Sequence, residues 1–229
     1  MSRPKLLDLF CGSGGAAMGY HRAGWDVTGV DLSPQPDYPF EFIQGDALEF
    51  LAQHGAEFDA RHASPPCQSY STGVSSRSSK WSHTKGKDEP ALIGDTHEAF
   101  LKIGGLWVIE NVMGARPHMP AGYFVLCGSM FDRPIPRHRA FATSFDADVP
   151  EHPNCRGLAK RSAAELGWEY RDMSVTGKGR RAGTSDRWSY LLDINWPVKQ
   201  LGLAEAIPPA YTQHIGTQML ALASQEKAA

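Results

Sequence analysis

The sequence predicts an α/β fold in which a mostly parallel, twisted sheet carries helices on both faces. Short apolar runs that end on glycine or an acidic residue alternate with helix-like segments along the first half of the chain. The first run leads through a glycine turn into a helix, which is how a nucleotide-binding α/β unit begins. With 229 residues, 41% of them hydrophobic, the chain can form one substantial core, so we expect one domain with an insertion.

Composition argues against several classes of protein. The formal net charge of −2 gives no global sign of nucleic-acid binding, so any basic surface would be local. The four cysteines form no C-x-x-C pair, which argues against a zinc ribbon or a disulfide scaffold. His152 and Cys155 could be half of a metal site, but no second matching pair is visible, so we predict no metal. Because neither an apolar run of about 20 residues nor a leader is visible, we expect a cytoplasmic protein without membrane contact.

The glycine turn and the acid after it predict a cofactor site. Residues 6–10 form the first predicted strand, and the pattern Gly12-x-Gly14-x-x-Ala17 follows. This pattern matches the loose dinucleotide fingerprint, which does not separate a nicotinamide cofactor from an adenosyl one. The second predicted strand ends at Asp31, about 20 residues after the turn, where such folds hold a ribose hydroxyl. A helix N-cap is the alternative role for Asp31.

A third predicted strand repeats this pattern and ends at Asp46, beside Gly45. Ligands of open α/β folds bind outside the carboxyl ends of the strands. Asp31 and Asp46 would then face the same crevice, with adenosine between them.

A cysteine follows the fourth predicted strand, residues 58–63. Pro65 and Pro66 fix φ and cannot continue a sheet ladder, so the chain leaves the sheet and presents Cys67 on a stiff turn. The thiolate of cysteine is a strong nucleophile, and a nearby positive charge raises its fraction. The alternative is a buried, inert cysteine. The long polar segment that follows favours a reactive cysteine at this position.

That segment, residues 71–88, is polar and aperiodic and interleaves cations with Trp81. A stretch of this length without structure inside a compact domain is commonly a lid or a binding loop. The cations and the tryptophan suit a loop that closes over phosphates and pushes against bases. Disorder without function is the alternative. A helix is predicted next, over residues 90–103.

A fifth predicted strand, residues 106–112, is apolar until it reaches Glu110. A carboxylate there is costly to desolvate unless it is paired or holds a proton, although a helix cap or a structural ion pair would also explain it. Further strands are predicted near residues 123–127 and 140–145. Between them, Arg137 and Arg139 lie two residues apart, a spacing that puts both side chains on one face of a strand.

Residues 144–197 differ in character, because proline, glycine and charge rise while the hydrophobic periodicity weakens. Residues 175–184 are glycine-rich and basic. This composition describes either a solvated loop or a segment that follows a nucleic-acid backbone or enters a groove. The chain closes with a predicted amphipathic helix through Ile215 and Met219.

Four motifs, in this order, resemble those of the DNA cytosine-C5 methyltransferase family, and the chain looks most similar to the compact enzymes encoded by phages. They are Asp8-Leu9-Phe10-Cys11-Gly12-Ser13-Gly14-Gly15, Pro65-Pro66-Cys67-Gln68, Glu110-Asn111-Val112 and Arg137-His138-Arg139. The resemblance implies a Rossmann-like, S-adenosylmethionine-dependent methyltransferase fold. It divides the chain into a catalytic core (1–143), a reduced target-recognition insert (144–197) and a C-terminal segment (198–229) whose helix packs back on the core.

The resemblance also implies roles for individual residues. Cys67 would attack C6 of a flipped cytosine and Glu110 would protonate N3. Arg139 would hold the O2 atom, with Arg137 supporting the base or the thiolate. S-Adenosylmethionine would be bound by Phe10, Cys11, Gly12, Gly14, Gly15, Asp31, Leu32, Asp46, Ala47, Pro66, Leu92 and Glu205. Contacts to double-stranded DNA are expected from Gln68, Ser71, Arg77, Lys80, Trp81, Lys85, Lys178, Arg180, Arg181 and Arg187.

Two departures from the family pattern affect these expectations. Ala204-Glu205 stands where family members usually carry Gly-Asn, so the contact to the methionine part of the cofactor would be altered. The insert is shorter than the usual recognition domain, so we expect a readout of a few base pairs. We predict a monomer without an obligate protein partner, in a bacterial or phage-infected cell. Three alternatives stay open: the same chemistry on RNA or a free nucleotide, a nicotinamide oxidoreductase, and a non-catalytic DNA-binding relative.

Overall fold

The computed structural model describes residues 2–66, 91–175 and 184–226, and these ranges form a seven-stranded sheet. The strands are β1 (Lys5–Leu9), β2 (Asp26–Asp31), β3 (Glu41–Gln44), β4 (Ala60–Ala63), β5 (Leu106–Val112), β6 (Phe124–Leu126) and β7 (Arg139–Thr143). Their order across the sheet is β3-β2-β1-β4-β5-β7-β6. Neighbours among β1 to β5 pair in parallel, whereas β7 runs antiparallel to both β5 and β6.

The strand register aligns the carboxyl ends of the central parallel strands along one edge of the sheet. Leu9 pairs with Ala63, and Ala63 pairs with Ile109, so the loops that follow β1, β4 and β5 meet at one edge of the sheet. Strand β7 reaches the same edge from the opposite direction, because its first residue, Arg139, lies opposite Val112. This edge is where ligands bind in open α/β sheets.

Helices cover both faces of the sheet, as predicted. In the described ranges they are α1 (Gly15–Ala23), α2 (Ala47–His54), α3 (Ile93–Ile103), α4 (Cys155–Glu165), α5 (Ser185–Leu192), α6 (Gln200–Glu205) and α7 (Pro209–Glu226). On one face, α1 and α7 pack closely enough for Thr212 Oγ1 to donate a hydrogen bond to Ala16 O at 2.8 Å. On the other face, Leu51 of α2 and Phe100 of α3 are fully buried against the sheet. Each such side chain contributes about 1.5–3 kcal/mol.

Residues 159–194 form most of a further hydrophobic core, although the sequence of this segment shows only weak periodicity. This core is built mainly from α5 and the segments around it, and includes Met173, Trp188, Leu191, Leu192 and Leu203. Helix α4 contributes only two fully or almost fully buried side chains, Ala159 and Ala163. An apolar stripe made of alanines is narrow, which is why α4 was not predicted from the sequence.

Asp193, just after α5, connects residues 144–197 to other parts of the chain. Asp193 Oδ2 pairs with Arg22 of α1 at 2.6 Å and with Arg133 at 2.9 Å. Both pairs are partly exposed, so each contributes at most about 1 kcal/mol, and the insert's core contributes more. Within the described ranges, no helix has the length and apolar character needed to cross a membrane.

Candidate active site

The glycine turn after β1 has an unusual backbone. Phe10, Gly12 and Gly14 have φ values of 56°, 49° and 83°, all in the left-handed region. At Gly14 a side chain would also collide with the Pro39 ring, at 2.7 Å. At Gly12 an added Cβ would meet no atom within 4 Å, so this backbone borders open space. A glycine backbone beside open space at a sheet edge can accommodate a ligand at close approach.

Asp31, at the end of β2, organises this turn. Its Oδ2 atom accepts a hydrogen bond from the Gly12 N–H at 3.0 Å, and its Oδ1 atom accepts one from the Ser33 N–H at 2.9 Å. Each carboxylate oxygen has two lone pairs, so both atoms can still accept a bond from a ligand hydroxyl. Leu32, the next residue, is 71% exposed and offers an apolar surface beside the carboxylate.

Cys11 lies within the turn but is buried. Burial raises the pKa of the Cys11 thiol well above its usual range, and the nearby Asp8 and Asp31 carboxyls act in the same direction. A thiol in this environment stays protonated. Cys11 can therefore line a cofactor site but does not supply a nucleophile.

Asp46 is a helix cap as well as a candidate ligand residue. Its Oδ1 atom accepts hydrogen bonds from the N–H groups of Leu48 and Glu49, both at 2.9 Å. The backbone N–H of Gly45 donates to Asp31 O at 3.0 Å, which places the two strand ends side by side. Ala47, the first residue of α2, is buried. The capping role of Asp46 accounts for its position, and a contact to adenosine stays a prediction.

Glu110 and Arg139 form the centre of the candidate site. Arg139 Nε lies 3.1 Å from Glu110 Oε1, and the two side chains are 14% and 6% exposed. Burial raises the pKa of the Glu110 carboxyl, against the opposing effects of Arg139, of a hydrogen bond from Ser64 and of Arg137. A buried carboxyl with a raised pKa holds its proton to a higher pH than an exposed one and can pass it to a base.

The turn that leads to Cys67 starts beside this pair. The side-chain amide of Asn111, next to Glu110, donates a hydrogen bond to Pro65 O at 2.9 Å. Asn111 is buried, Pro65 is buried and Pro66 is half-buried, so the start of the turn is held rigidly against β5. Cys67 is the next residue and lies outside the described residues.

A chain of buried polar groups runs beneath Glu110. The hydroxyl of Ser64, which bonds Glu110, lies 2.9 Å from His62 Nε2, and His62 Nδ1 lies 2.9 Å from the Tyr20 hydroxyl. Burial lowers the pKa of His62 to about 3, so its ring is neutral. Sequence reasoning missed these residues, because a histidine in an apolar strand carries no local signal of its partners.

Comparison with known proteins identifies the fold. No family model matches the sequence, and no curated protein matches it. Among solved structures, a mutant of Spodoptera frugiperda DNMT2 is 13% identical, with a TM-score of 0.58 over 95% of this chain and 99% of that one. S. pombe Dnmt2 methyltransferase is 12% identical, also at 0.58, over 96% and 99% of the two chains. Entamoeba histolytica methyltransferase EhMeth is 11% identical, again at 0.58, over 96% and 98%.

The chain has the fold of these methyltransferases. The predicted Rossmann-like methyltransferase fold is thereby confirmed. At 11 to 13% identity the likeness extends to the fold and not to the reaction. The function must be argued from the site.

Arg137 does not lie on the strand face that its two-residue spacing from Arg139 predicted. Strand β7 begins at Arg139, so the shared strand face expected for the two arginines is not formed. The Arg137 guanidinium donates to the carbonyl oxygens of Val175, Ala204 and Ala206 at 2.7 to 2.9 Å. These contacts join the insert to the C-terminal segment. A direct catalytic role for Arg137 stays a prediction.

The segment before α7 closes around the glycine turn. Trp196 Nε1 donates a hydrogen bond to Ser13 O at 3.0 Å, and a side chain at Gly202 would collide with Ser13 Oγ. Sequence reasoning did not single out Trp196. Glu205, the predicted cofactor contact, is exposed at the end of α6, and Leu92 is half-buried just before α3.

Arg187 is already engaged within the protein. Its Nη1 atom lies 2.6 Å from Asp172 Oδ2, and its guanidinium lies 4.8 Å from the centre of the Trp168 ring. These contacts account for the position of the Arg187 side chain. A contact between Arg187 and DNA stays a prediction. The remaining residues predicted to contact DNA all lie outside the described residues. They are Gln68, Ser71, Arg77, Lys80, Trp81, Lys85, Lys178, Arg180 and Arg181.

Proposed function

We propose that this chain transfers a methyl group from S-adenosylmethionine to C5 of a cytosine in double-stranded DNA. The observation that carries the proposal is the buried Glu110–Arg139 pair beside the turn that leads to Cys67. An acid and a cation at this place match the polar edge of a cytosine, which needs a proton at N3 and a donor at O2. Cys67, which follows Pro66 in the sequence, would supply the nucleophile that the ring requires.

The glycine turn and the end of β2 fit the cofactor. Gly12 borders open space, the Asp31 carboxylate can accept a bond from a ribose hydroxyl, and exposed Leu32 can contact an adenine ring. Phe10, Cys11, Gly14 and Gly15 line the same turn, with Asp46, Ala47, Pro66, Leu92 and Glu205 proposed around it. When bound, S-adenosylmethionine supplies an electrophilic methyl group. The protein residues hold it and exclude water.

Covalent activation of the cytosine is the proposed mechanism. C5 of cytosine is a poor nucleophile until the Cys67 thiolate adds to C6, which forms a carbon–sulfur bond and pushes electron density into the ring. Glu110 delivers its proton to N3, so that a neutral enamine forms. Arg139 donates to O2 and fixes the ring. C5 would then bond to the methyl group as the methyl–sulfur bond of the cofactor breaks and a neutral thioether leaves. A base removes the C5 proton, N3 returns its proton to Glu110, and the bond between C6 and the Cys67 sulfur breaks to release the thiolate.

DNA is the proposed substrate, because the chemistry needs an extruded base and the sequence concentrates cations in residues 71–88 and 178–181. A cytosine inside a duplex must leave the stack before Cys67 can reach C6. The polar segment 71–88, with Trp81, would fill the space that the base leaves. The basic residues Lys178, Arg180 and Arg181 would contact the backbone and bases.

The test compares methyl transfer by the parent protein and Cys67→Ser on a DNA duplex, an RNA of the same sequence and free cytidine nucleotides. We expect the parent to methylate DNA and the variant to lose turnover while binding S-adenosylmethionine normally. A duplex with 5-fluorocytosine at the target should form an adduct that survives denaturation, because no C5 proton can leave. Methylation of RNA or nucleotide alone would contradict the proposed substrate, and turnover by Cys67→Ser within tenfold of the parent would contradict the nucleophile.

A further inference from the structure

Two cysteines and two histidines converge at the boundary between the sheet and the insert. The cluster consists of Cys127, His138, His152 and Cys155, and its ligand atoms all lie within 4.8 Å of one another. Cys127 follows β6, His138 precedes β7, and the other two lie before and at the start of α4. Three separate chain segments therefore meet at this cluster. Two of them contribute one ligand each, Cys127 and His138, and the third contributes both His152 and Cys155.

The distances within the cluster resemble those between the ligands of one metal ion. His138 Nε2 lies 3.1 Å from His152 Nε2 and 3.9 Å from Cys155 Sγ. In a tetrahedral zinc site, Zn–N bonds of about 2.0–2.1 Å and Zn–S bonds of about 2.3 Å put neighbouring ligand atoms about 3.3 to 3.8 Å apart. Shifts of about 1 Å at most would complete this geometry.

The positions of both sulfur atoms suit metal ligands. Cys155 is the first residue of α4, where unpaired backbone N–H groups can donate to a metal-bound sulfur. The Ser129 hydroxyl donates a hydrogen bond to Cys127 Sγ at 3.4 Å, as an outer partner of a metal ligand would. Cys127 is buried, whereas His138 and Cys155 are half-buried and His152 is exposed. The cluster thus has a rigid inner ligand and an open side for metal entry.

We propose that these four residues bind one structural zinc ion. A set of two thiolates and two imidazoles is typical of zinc, and four protein ligands leave no position for a substrate. The ion would join the β6–β7 region to α4, the first helix of the insert. His138 stands between Arg137, which bonds the insert and the C-terminal segment, and Arg139, which pairs with Glu110. Zinc would therefore hold the strand that positions Arg139.

The sequence did not reveal this site because only half of it is local. His152 and Cys155 lie three residues apart, but Cys127 and His138 lie at the two ends of the segment between β6 and β7. Folding of that segment brings the second half of the ligand set into place. Our prediction of no metal rested on the missing second pair.

Metal content of the purified protein tests the proposal directly. We expect about one zinc per chain in the parent protein and a loss of most of it in Cys155→Ser and in His152→Ala. His54→Ala is the matched control, because His54 is a partly exposed histidine that pairs with Glu57, and its loss should leave the zinc content unchanged. Both cluster variants alter exposed or half-buried side chains, which limits the risk of misfolding.

Cobalt substitution gives a second measurement that does not depend on folding of a variant. The chelated parent protein should take up one Co²⁺ and show thiolate-to-cobalt charge transfer together with the intense visible bands of tetrahedral coordination. Removal of zinc should lower Tm by about 5 °C or more, and added zinc should restore it. A parent protein with far less than one zinc and no such spectrum would overturn the proposal. So would a Cys127–Cys155 disulfide in the protein purified without reductant.

Discussion

Arg139 Nε lies 3.1 Å from Glu110 Oε1, across two antiparallel strands in which Glu110 is opposite Phe141 rather than Arg139. The two charged residues are therefore diagonal neighbours on one face of the sheet, a distance that a long side chain can span. Because Glu110 is buried and Arg139 is mostly buried, the loss of either would leave the other without its partner in an environment with little water. The pair holds an acid and a hydrogen-bond donor at a fixed separation.

Glu110→Gln should lower the rate of the chemical step by about 10²–10⁴-fold, because the amide keeps the shape of the acid but delivers no proton. DNA affinity should change much less, since the substitution removes no contact to the backbone. Single-turnover kinetics and equilibrium DNA binding measure the two effects separately. Equal losses of rate and affinity would indicate that Glu110 has a structural role.

The pH dependence of the parent protein offers a related check on Glu110. Because the acid must be protonated, the single-turnover rate should fall as the pH rises above the raised pKa of Glu110. Arg139 lowers that pKa, so Arg139→Ala should move the falling limb to higher pH. An unchanged limb in this variant would mean that another group controls the rate.

Asp31→Ala should weaken S-adenosylmethionine binding by about 1.5–3 kcal/mol, the contribution of charge-assisted hydrogen bonds. The variant also releases the Gly12 N–H, so the turn itself becomes less ordered. Asp31→Asn keeps an acceptor oxygen, so its affinity for S-adenosylmethionine should lie between those of the parent and of Asp31→Ala. Asp26→Ala, at the exposed start of the same strand, is the control. Calorimetry that shows equal affinity for all of them would exclude Asp31 from the cofactor site.

The strands and the glycine turn could be predicted from the sequence because their signals are local. Apolar runs that stop at Gly12, Asp31 and Glu110 mark the carboxyl ends of strands, and parallel strands bring those ends together. The diagonal Glu110–Arg139 contact was not predicted, since the family resemblance implied only that each residue contacts the cytosine, and nothing local in either motif specifies the β5–β7 register.

Other contacts depend on long-range packing, which sequence patterns do not report. Nothing in the sequence around Arg137 indicates that its partners are the carbonyl oxygens of residues 175, 204 and 206. Trp196 reaches Ser13 across more than 180 positions of the chain. In the insert, the alanine stripe of α4 is too narrow to produce a clear period, so a real core gave no clear hydrophobic pattern.

Arg180→Ala and Arg181→Ala should separate backbone contacts from base contacts in the insert. Loss of a phosphate contact weakens binding to all sequences alike and reduces the salt slope by about one unit. Loss of a base contact costs about 1–3 kcal/mol and relaxes the choice of site. We expect at least one variant to methylate additional contexts when modified genomic DNA is sequenced at single-base resolution. Identical contexts at every enzyme level would place specificity elsewhere, and the segment 71–88 would be the next candidate.

Asp8 should make the stability of the protein fall as the pH rises through the neutral range. It lies in β1, fully buried, and its Oδ2 atom is 3.4 Å from the Tyr38 hydroxyl, a long hydrogen bond. Burial raises the pKa of the Asp8 carboxyl from 3.8 to about 8, and the Asp31 charge adds to the effect of burial. Between these values the unfolded chain is ionised at this residue while the folded protein is not.

Folding therefore takes up a proton in this range, so the contribution of Asp8 to stability is complete below the pKa of the unfolded chain and is lost as the pH rises to about 8. The slope is at most about 1.4 kcal/mol per pH unit. Asp8→Asn removes it, so between pH values of about 5.5 and 7.5 the parent should lose up to roughly 2–3 kcal/mol more than the variant. Urea unfolding at both pH values measures the difference, with exposed Asp37→Asn as the control. Parallel pH dependence of the parent and Asp8→Asn would show that Asp8 is ionised in the folded protein, and that the groups around it stabilise its charge.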